Sequence, residues 1–418
     1  MTPGPATEFL FSLERFGMKF GLANMAALCD ALGHPERAYP SILIGGTNGK
    51  GSVAAMVDGA LRAQGYATGR YTSPHLHRLE ERFTVDGREV ETDRLEASAV
   101  RVRTVVDRLL ASGRLEALPT FFESTTAVAF DLFRDARVDA AVLEVGLGGR
   151  LDATNVVTPV ATAIVSIDFD HQAQLGDTLT SIAAEKAGIV KPGVPVVCGP
   201  MPAEAMEVIA RTAAERGAPF TAVEGDDALA ARVAAIPLSL AGAHQRRNAA
   251  VALRLLEILD ADGRHGLRVG DAARQTGLAT ARWPGRLETL AHRGRPVLLD
   301  AAHNPAGARA LASYLLSAAP GGVTLVFGAM KDKAVAEMLH ELAPVVRAAV
   351  CTTAPSPRAM AAAELLELAR AQGIEAAAVD DPMAAVDRAC LSPHPVAVAG
   401  SIFLIGAVRE RLARDILR

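Results

Sequence analysis

Short, unbroken apolar runs recur along the chain and alternate with segments of helical periodicity. The runs are SILI (41–44), AAVLEV (140–145), VATAIVSI (160–167) and VPVVCG (194–199), followed by VLLDAAH (297–303), VTLVFG (323–328), AAVCTT (348–353) and VAVAGSIFL (396–404). Runs of this kind read as strands buried on both faces, the mark of parallel sheets covered by helices. Residues 93–111 predict one such helix: Val102, Val105, Val106 and Leu109 share a face, and Asp93 and Glu96 form a capping box at its start. The Ala-rich stretches keep helical periodicity, and there is no repeat of fixed period. Over 225–295 the strand–helix rhythm breaks, and Pro and Gly punctuate the chain at Trp283–Gly285. The expected architecture is α/β, with two doubly wound, mostly parallel-sheet domains at 1–284 and 285–418.

The first run leads into LIGGTNGKGS (43–52), and Val53, Met56, Val57, Ala60 and Leu61 then line one side of a helix that Gly65 should stop. Strand, glycine-rich turn and helix make a cradle for an anion: loop amides curl around it, the helix N-terminus adds partial charge, and Lys50 adds a full one. A strict phosphate loop places its first glycine where Ile44 stands, and Ser or Thr directly after the lysine, where Gly51 stands. The stretch therefore reads as a variant phosphate loop.

Other side chains suggest what accompanies the phosphate. Glu144 ends a buried strand, where a carboxylate is costly unless it meets a cation, and strand ends are where open α/β sheets bind ligands. His171 lies just beyond the next apolar run, one strand over by that reading. Leu179, Ile182, Ala183 and Lys186 follow the spacing of a single helix face, which places a lysine on an apolar stripe. Such a lysine either snorkels to solvent or stays buried with a depressed pKa. The neutral amine can then react with carbon dioxide to give a carbamate.

Composition narrows the classes. Half of the residues are hydrophobic and the net charge is −4, so nothing draws the chain generally to nucleic acid or to anionic membrane. Cys29, Cys198, Cys351 and Cys390 are scattered, which argues against a zinc site or a disulfide framework. The stretch MTPGPATEFLFSLERFG does not read as a signal peptide, and no apolar run approaches a membrane span. The expectation is a cytoplasmic monomer.

Ten ordered blocks, spread over nearly the whole chain, resemble the Mur ligase superfamily and, within it, the folylpolyglutamate synthase/dihydrofolate synthase family. They are GTNGKGS (46–52), YTSPHL (71–76), EVGLGGRLDATN (144–155), SIDFDH (166–171), EKAGI (185–189), HQRRNA (244–249), PGRLE (284–288), LDAAHNP (299–305), FGAMKDK (327–333) and GSIFLIGAVRE (400–410). The resemblance implies an N-terminal ATP-binding domain and a smaller Rossmann-like C-terminal domain. It also implies ATP-dependent addition of L-glutamate to dihydropteroate, to reduced folate or to both, through an acyl phosphate, in folate biosynthesis and polyglutamylation. By this resemblance Ser52, Ser73, Glu144 and His171 hold magnesium, as two ions, and Lys186 is carbamylated. Lys50, Lys186 and His171 serve the chemistry. Nucleotide contacts fall on Asn48, Gly49, Lys50, Gly51, Asn248, Arg286 and Asp300, with His303 and Asn304 extending that side. The pterin-bearing substrate maps to Thr120, Phe121, Phe122 and Glu123, and to Leu151, Asp152 and Ala153. Asp168 stands where relatives more often carry a small residue. Two other readings compete. A muramyl-type amino-acid ligase would carry a further N-terminal domain, whereas only about 40 residues precede the loop; a non-catalytic nucleotide-binding module would be expected to lose Ser52, Glu144, His171 or Lys186.

Overall fold

The structure, a computed structural model, describes residues 4–16, 21–263 and 265–416. Residues 1–3 and 17 of the N-terminal stretch quoted above lie outside them. The chain divides into two compact units. One comprises Met1–Ser239 and Arg246–Ala281, the other Leu240–Gln245 and Arg282–Arg418. The division thus falls after Ala281 rather than after Pro284, and a six-residue segment upstream groups with the second unit.

The first unit is built on eight strands: β1 (Ser41–Gly45), β2 (Thr68–Tyr71), β3 (Phe83–Val85), β4 (Arg88–Glu89), β5 (Ala140–Glu144), β6 (Ala161–Ile164), β7 (Val196–Cys198) and β8 (Phe220–Ala222). Their order is β4-β3-β2-β5-β1-β6-β7-β8, with only the β2–β3 and β3–β4 pairs antiparallel. β1, β5 and β6 are buried at every position, as strands covered on both faces must be. β1 runs between β5 and β6, pairing Ile44 with Glu144 and Gly45 with Ile164. Glu144 and the segment leading to His171 therefore flank β1 on opposite sides, which corrects the reading that placed their strands next to each other.

The helix after β1 runs Lys50–Gln64, ends at Gly65 with φ of 104°, and is buried at every residue from Gly51 to Leu61. Periodicity predicts one buried side. The opposite side is covered by the helix Asp271–Thr280, and both helices use glycine at the crossing. A Cβ on Gly277 would lie 2.2 Å from Ala60 N, and one on Gly59 would lie 3.1 Å from Gly277 O.

The helix expected at 93–111 spans Thr92–Ala111 and buries Val102, Val105, Val106 and Leu109. Its capping box does not form: Glu91 is the N-cap, and no side chain caps the end. Glu96 instead accepts hydrogen bonds from Ala6 N, Thr7 N and Thr7 Oγ1, serving the orphan amides of the helix Pro5–Ser12. Where periodicity fails, over 225–295, lie the helices Asp227–Ala234, Ala243–Asp262 and Asp271–Thr280.

The second unit holds β9 (Glu288–His292), β10 (Arg295–Leu299), β11 (Val323–Phe327), β12 (Val346–Cys351), β13 (Ala376–Ala378) and β14 (Val396–Ala399), ordered β13-β12-β11-β14-β10-β9. Only β9–β10 is antiparallel. The run at 396–404 is not all strand: Gly400, at φ of 108°, turns the chain, and SIFL opens the helix Ile402–Ile416. Leu311, Leu325, Phe327, Met338, Leu339 and Leu365 fill this unit's core. All four cysteines are free. Among the described residues no helix is long and apolar enough to cross a membrane.

Candidate active site

At the carboxyl end of β1 the chain turns through Gly46 (φ 140°) and Gly49 (φ 87°), which caps the following helix. Both positions need glycine for space as well as for backbone angle. A Cβ on Gly46 would meet the Val165 and Ser166 amides at 3.1 Å, and one on Gly49 would meet Asn248 Oδ1 at 2.4 Å. The loop is strapped to the segment after β6. Thr47 N donates to Ser166 O at 2.8 Å, Asn48 N to Ser166 Oγ at 3.0 Å, and Ser166 Oγ to Asn48 O at 3.0 Å. The residue left unexplained by sequence, Asp168, joins this strap. Its backbone N donates to Thr47 Oγ1 at 3.1 Å, while its own carboxylate accepts from Phe169 N at 2.8 Å.

Two lysines converge on one loop carbonyl. Lys50 Nζ donates to Gly46 O and to Thr47 O, each at 3.1 Å, and Lys186 Nζ donates to Gly46 O at 3.0 Å. Lys186 is 5 % exposed, in the helix Leu179–Ala187 that also buries Ile182 and Ala183. It does not snorkel. Burial, reinforced by the nearby Lys50 charge, pushes its pKa down from 10.5 to about 7. Sequence alone names both lysines but not their shared acceptor, since residues 46 and 186 are far apart in the chain.

Glu144 is buried at the end of β5, and its Oε2 accepts from Ser73 N at 3.1 Å. Ser52 is buried in the first turn of the phosphate-loop helix. His171 is exposed, at φ of 51°, with its Nε2 3.8 Å from Asp170 Oδ1. Among the described residues, no three His, Cys, Asp or Glu side chains gather as a ready-made metal cage. A site for magnesium does not need one, because the ion keeps waters and takes phosphate oxygens beside one or two protein ligands. The donors here, two hydroxyls, a carboxylate and an imidazole, suit a hard divalent cation.

The stretch 120–123 has a structural duty that sequence reading missed. Thr120 and Glu123 form a capping box for the helix Phe121–Asp135: Glu123 N donates to Thr120 Oγ1 at 3.1 Å and Thr120 N to Glu123 Oε2 at 2.7 Å. Glu123 Oε1 is buried without a hydrogen-bond partner. Phe121 stacks on Phe11 (5.9 Å between ring centroids) and Phe122 packs on Tyr71 at 5.9 Å. Asp152 is likewise occupied. Its carboxylate, raised in pKa by burial, accepts from Leu147 N and Thr154 N, each at 2.9 Å, and so folds its own loop between half-buried Leu151 and buried Ala153.

Two arginines were also missed, half-buried Arg70 in β2 and buried Arg82 just before β3, because arginine at such positions has no periodic signature. Arg70 Nη1 donates to Asp58 Oδ2 at 3.2 Å, and the Glu144 charge acts on it. Arg82, 7 % exposed, donates from Nε to His75 Nδ1 at 2.9 Å and lies 5.0 Å from the Phe121 ring centroid. The block YTSPHL contained His75 without assigning it a part.

In the second unit, Asp300 accepts from Leu287 N at 2.9 Å and Ala302 N at 3.0 Å, and burial raises its pKa against the Arg286 charge. Arg286 Nη1 donates to Gly285 O at 3.0 Å. His303 Nδ1 sits 2.9 Å from Ala301 O, and Asn304 caps the helix Pro305–Ala318 by accepting from Gly307 N at 2.8 Å.

Comparison with known proteins places this arrangement. Residues 285–402 match the family described as Mur ligase, glutamate ligase domain. A dihydrofolate synthase/folylpolyglutamate synthase of Bacillus subtilis is 35 % identical, covering 97 % of this chain and 98 % of its own. The Mycobacterium tuberculosis folylpolyglutamate synthase solved with ADP superposes with a TM-score of 0.88 at 32 % identity, covering 98 % and 99 % of the two chains. A bifunctional folylpolyglutamate synthase/dihydrofolate synthase solved with Mn, AMPPNP and L-glutamate gives 0.83 at 30 %, covering 98 % of each. The chain therefore belongs to the dihydrofolate synthase/folylpolyglutamate synthase family, whose fold of two mostly parallel α/β units it shares.

Proposed function

We propose that this protein is an ATP-dependent ligase that joins L-glutamate to dihydropteroate and to the γ-carboxylate of reduced folate. The observation that carries the reading is the convergence of Lys50 and buried Lys186 on Gly46 O, at the mouth of a helix N-terminus. There Lys50 and the helix N-terminus concentrate positive charge where a transferring phosphoryl group would sit, with Lys186 packed against the same carbonyl. In the reaction a substrate carboxylate oxygen attacks the γ-phosphorus and ADP leaves. The glutamate amine then attacks the acyl carbon, phosphate leaves, and the nitrogen gives up its proton.

Each residue has an assigned part. Lys50 and the amides of Gly49 and Gly51 hold the phosphates, with Asn48, strapped to Ser166, and Asn248 beside Gly49 as further nucleotide contacts. Ser52, Ser73, Glu144 and His171 would hold magnesium, as two ions, which supplies charge neutralisation at the phosphoryl oxygens. Lys186 reacts as the free amine with carbon dioxide, losing a proton, and the carbamate would help orient the groups that hold magnesium. Thr120–Glu123 and Leu151–Ala153 line the pterin-bearing substrate. Glu123 Oε1, buried and unpartnered, offers an acceptor to a heterocyclic N–H. The protein acts as a monomer, which size-exclusion with light scattering would check.

The deciding experiment is phosphate release with ATP, magnesium and glutamate, offering dihydropteroate and tetrahydrofolate separately. Release with each is expected. Release with tetrahydrofolate alone would reduce the protein to a polyglutamate synthase, and release with neither would refute the reading.

A further inference from the structure

Buried cations need partners, because the desolvation of an ion is repaid only by a counter-charge or by several good hydrogen bonds. Half-buried Arg70, which meets Asp58, and buried Arg274, which meets Asp260 and Asp271, obey this rule. Arg82 does not. At 7 % exposure it has no carboxylate within ion-pair distance among the described residues. Its Nε is spent on the neutral acceptor His75 Nδ1, and its guanidinium lies against the Phe121 ring, with the Tyr71 hydroxyl within reach. The nearest negative charges, Glu14 and Glu144, are felt only at electrostatic range.

The position is informative. Arg82 precedes β3, whose Phe83 pairs with Tyr71 of β2, and Thr72 N donates to Arg82 O at 3.0 Å, immediately before Ser73. The guanidinium lies against the Phe121 ring, while the Arg82 backbone borders the carboxyl end of the sheet, where Ser73 N donates to Glu144. An imidazole that accepts from Nε fixes the plane of the fork, and the Nη donors not turned to Tyr71 are left for a planar, anionic ligand, which suits a carboxylate.

We infer that Arg82, held by His75, binds the carboxylate of the acceptor substrate, the aryl carboxylate of dihydropteroate, and presents it to the phosphate loop. This rests on the ligase reading above and adds a residue that recognises the reacting group itself. The fork draws one carboxylate oxygen into its hydrogen bonds and leaves the other to attack phosphorus. It then keeps the acyl oxygen paired when the amine arrives.

The test compares dihydropteroate with an analogue lacking the aryl carboxylate, titrated against wild type, Arg82→Met and Arg82→Lys, with Mg-ADP binding measured on each. Wild type should prefer dihydropteroate by about 10- to 100-fold, the range of a hydrogen-bonded charge pair. Arg82→Met should lose that preference while binding the analogue and Mg-ADP as wild type does. Arg82→Lys, which keeps a cation in place and guards against a folding failure of the methionine variant, should retain only part of it. A preference undiminished in both variants would overturn the inference. So would equal weakening of both ligands, which marks a packing role, or a wild-type preference below about twofold, which needs no variant to observe. Phosphate release by wild type separates the two claims. Binding with the Arg82-dependent preference but without turnover would sink the ligase reading alone; turnover with an Arg82-independent preference would sink this inference alone.

Discussion

Lys186 shows how much chemistry a single position can carry. Its spacing on the helix Leu179–Ala187 already marks it as facing an apolar stripe, and the structure buries it against Gly46 O. The sign of its titration follows. The folded pKa, pushed from 10.5 down to about 7 mainly by burial, means that the ammonium is penalised: the cost to stability is full below about 7 and is relieved as pH rises toward the unfolded value. Carbon dioxide needs the neutral amine, so the carbamate should grow over the same rise. Carbon-13 NMR of protein equilibrated with labelled bicarbonate should show a carbamate signal that strengthens between pH 6 and pH 8, as expected for an amine that titrates near 7, and that is absent in Lys186→Ala. No signal at the upper pH would remove the carbamate from the mechanism. Other residues were less legible. Thr120, Glu123, Asp152 and Asn304 were expected to touch ligands, yet each satisfies backbone amides nearby. A capping box and a binding motif draw on the same polar residue types, so local sequence does not separate the two duties.

At the scale of elements, the helix Lys50–Gln64 is held from both sides, and the covering helix Asp271–Thr280 comes from a region where the strand–helix rhythm is lost. Its Gly277 is the point of closest approach, with a would-be Cβ 2.2 Å from a backbone nitrogen that cannot swing away. Gly277→Ala should therefore destabilise the first unit by about 3 kcal/mol, the upper end of overpacking costs, despite alanine's better helix propensity. Urea unfolding of the two proteins would measure it, and an unchanged or raised midpoint would show that the helices can slide apart. Glu96 makes the complementary point. Its spacing from Asp93 fits a capping box, but three donors from the helix Pro5–Ser12 offer the carboxylate more hydrogen bonds than its own helix end does. Strands β2–β4, β8, β9 and β13 escaped because they are short and either carry polar residues, as in TGRY and ETLAH, or are all alanine.

At the scale of the whole molecule, ligand binding and folding are linked: whatever binds only the folded chain stabilises it. Mg-ADP at a hundredfold excess over its Kd should add about 2.7 kcal/mol, a rise in Tm of roughly 5 °C, and Lys50→Ala should largely abolish the shift. A thermal scan in which both proteins respond alike would remove Lys50 from the nucleotide site. The amino-acid pattern determined the α/β class, eight of the strand runs, the phosphate loop and the lysine on an apolar face. These depend on short-range periodicity and on residue types that only one kind of backbone accommodates. The tertiary structure alone decided which strands flank β1, that Ser166 straps the loop, that two lysines share Gly46 O, and that Arg82 is a buried cation with no ion pair among the described residues. Those facts join residues dozens to more than a hundred positions apart, and burial, which sets the charge balance of each, exists only once the sheets have closed over them.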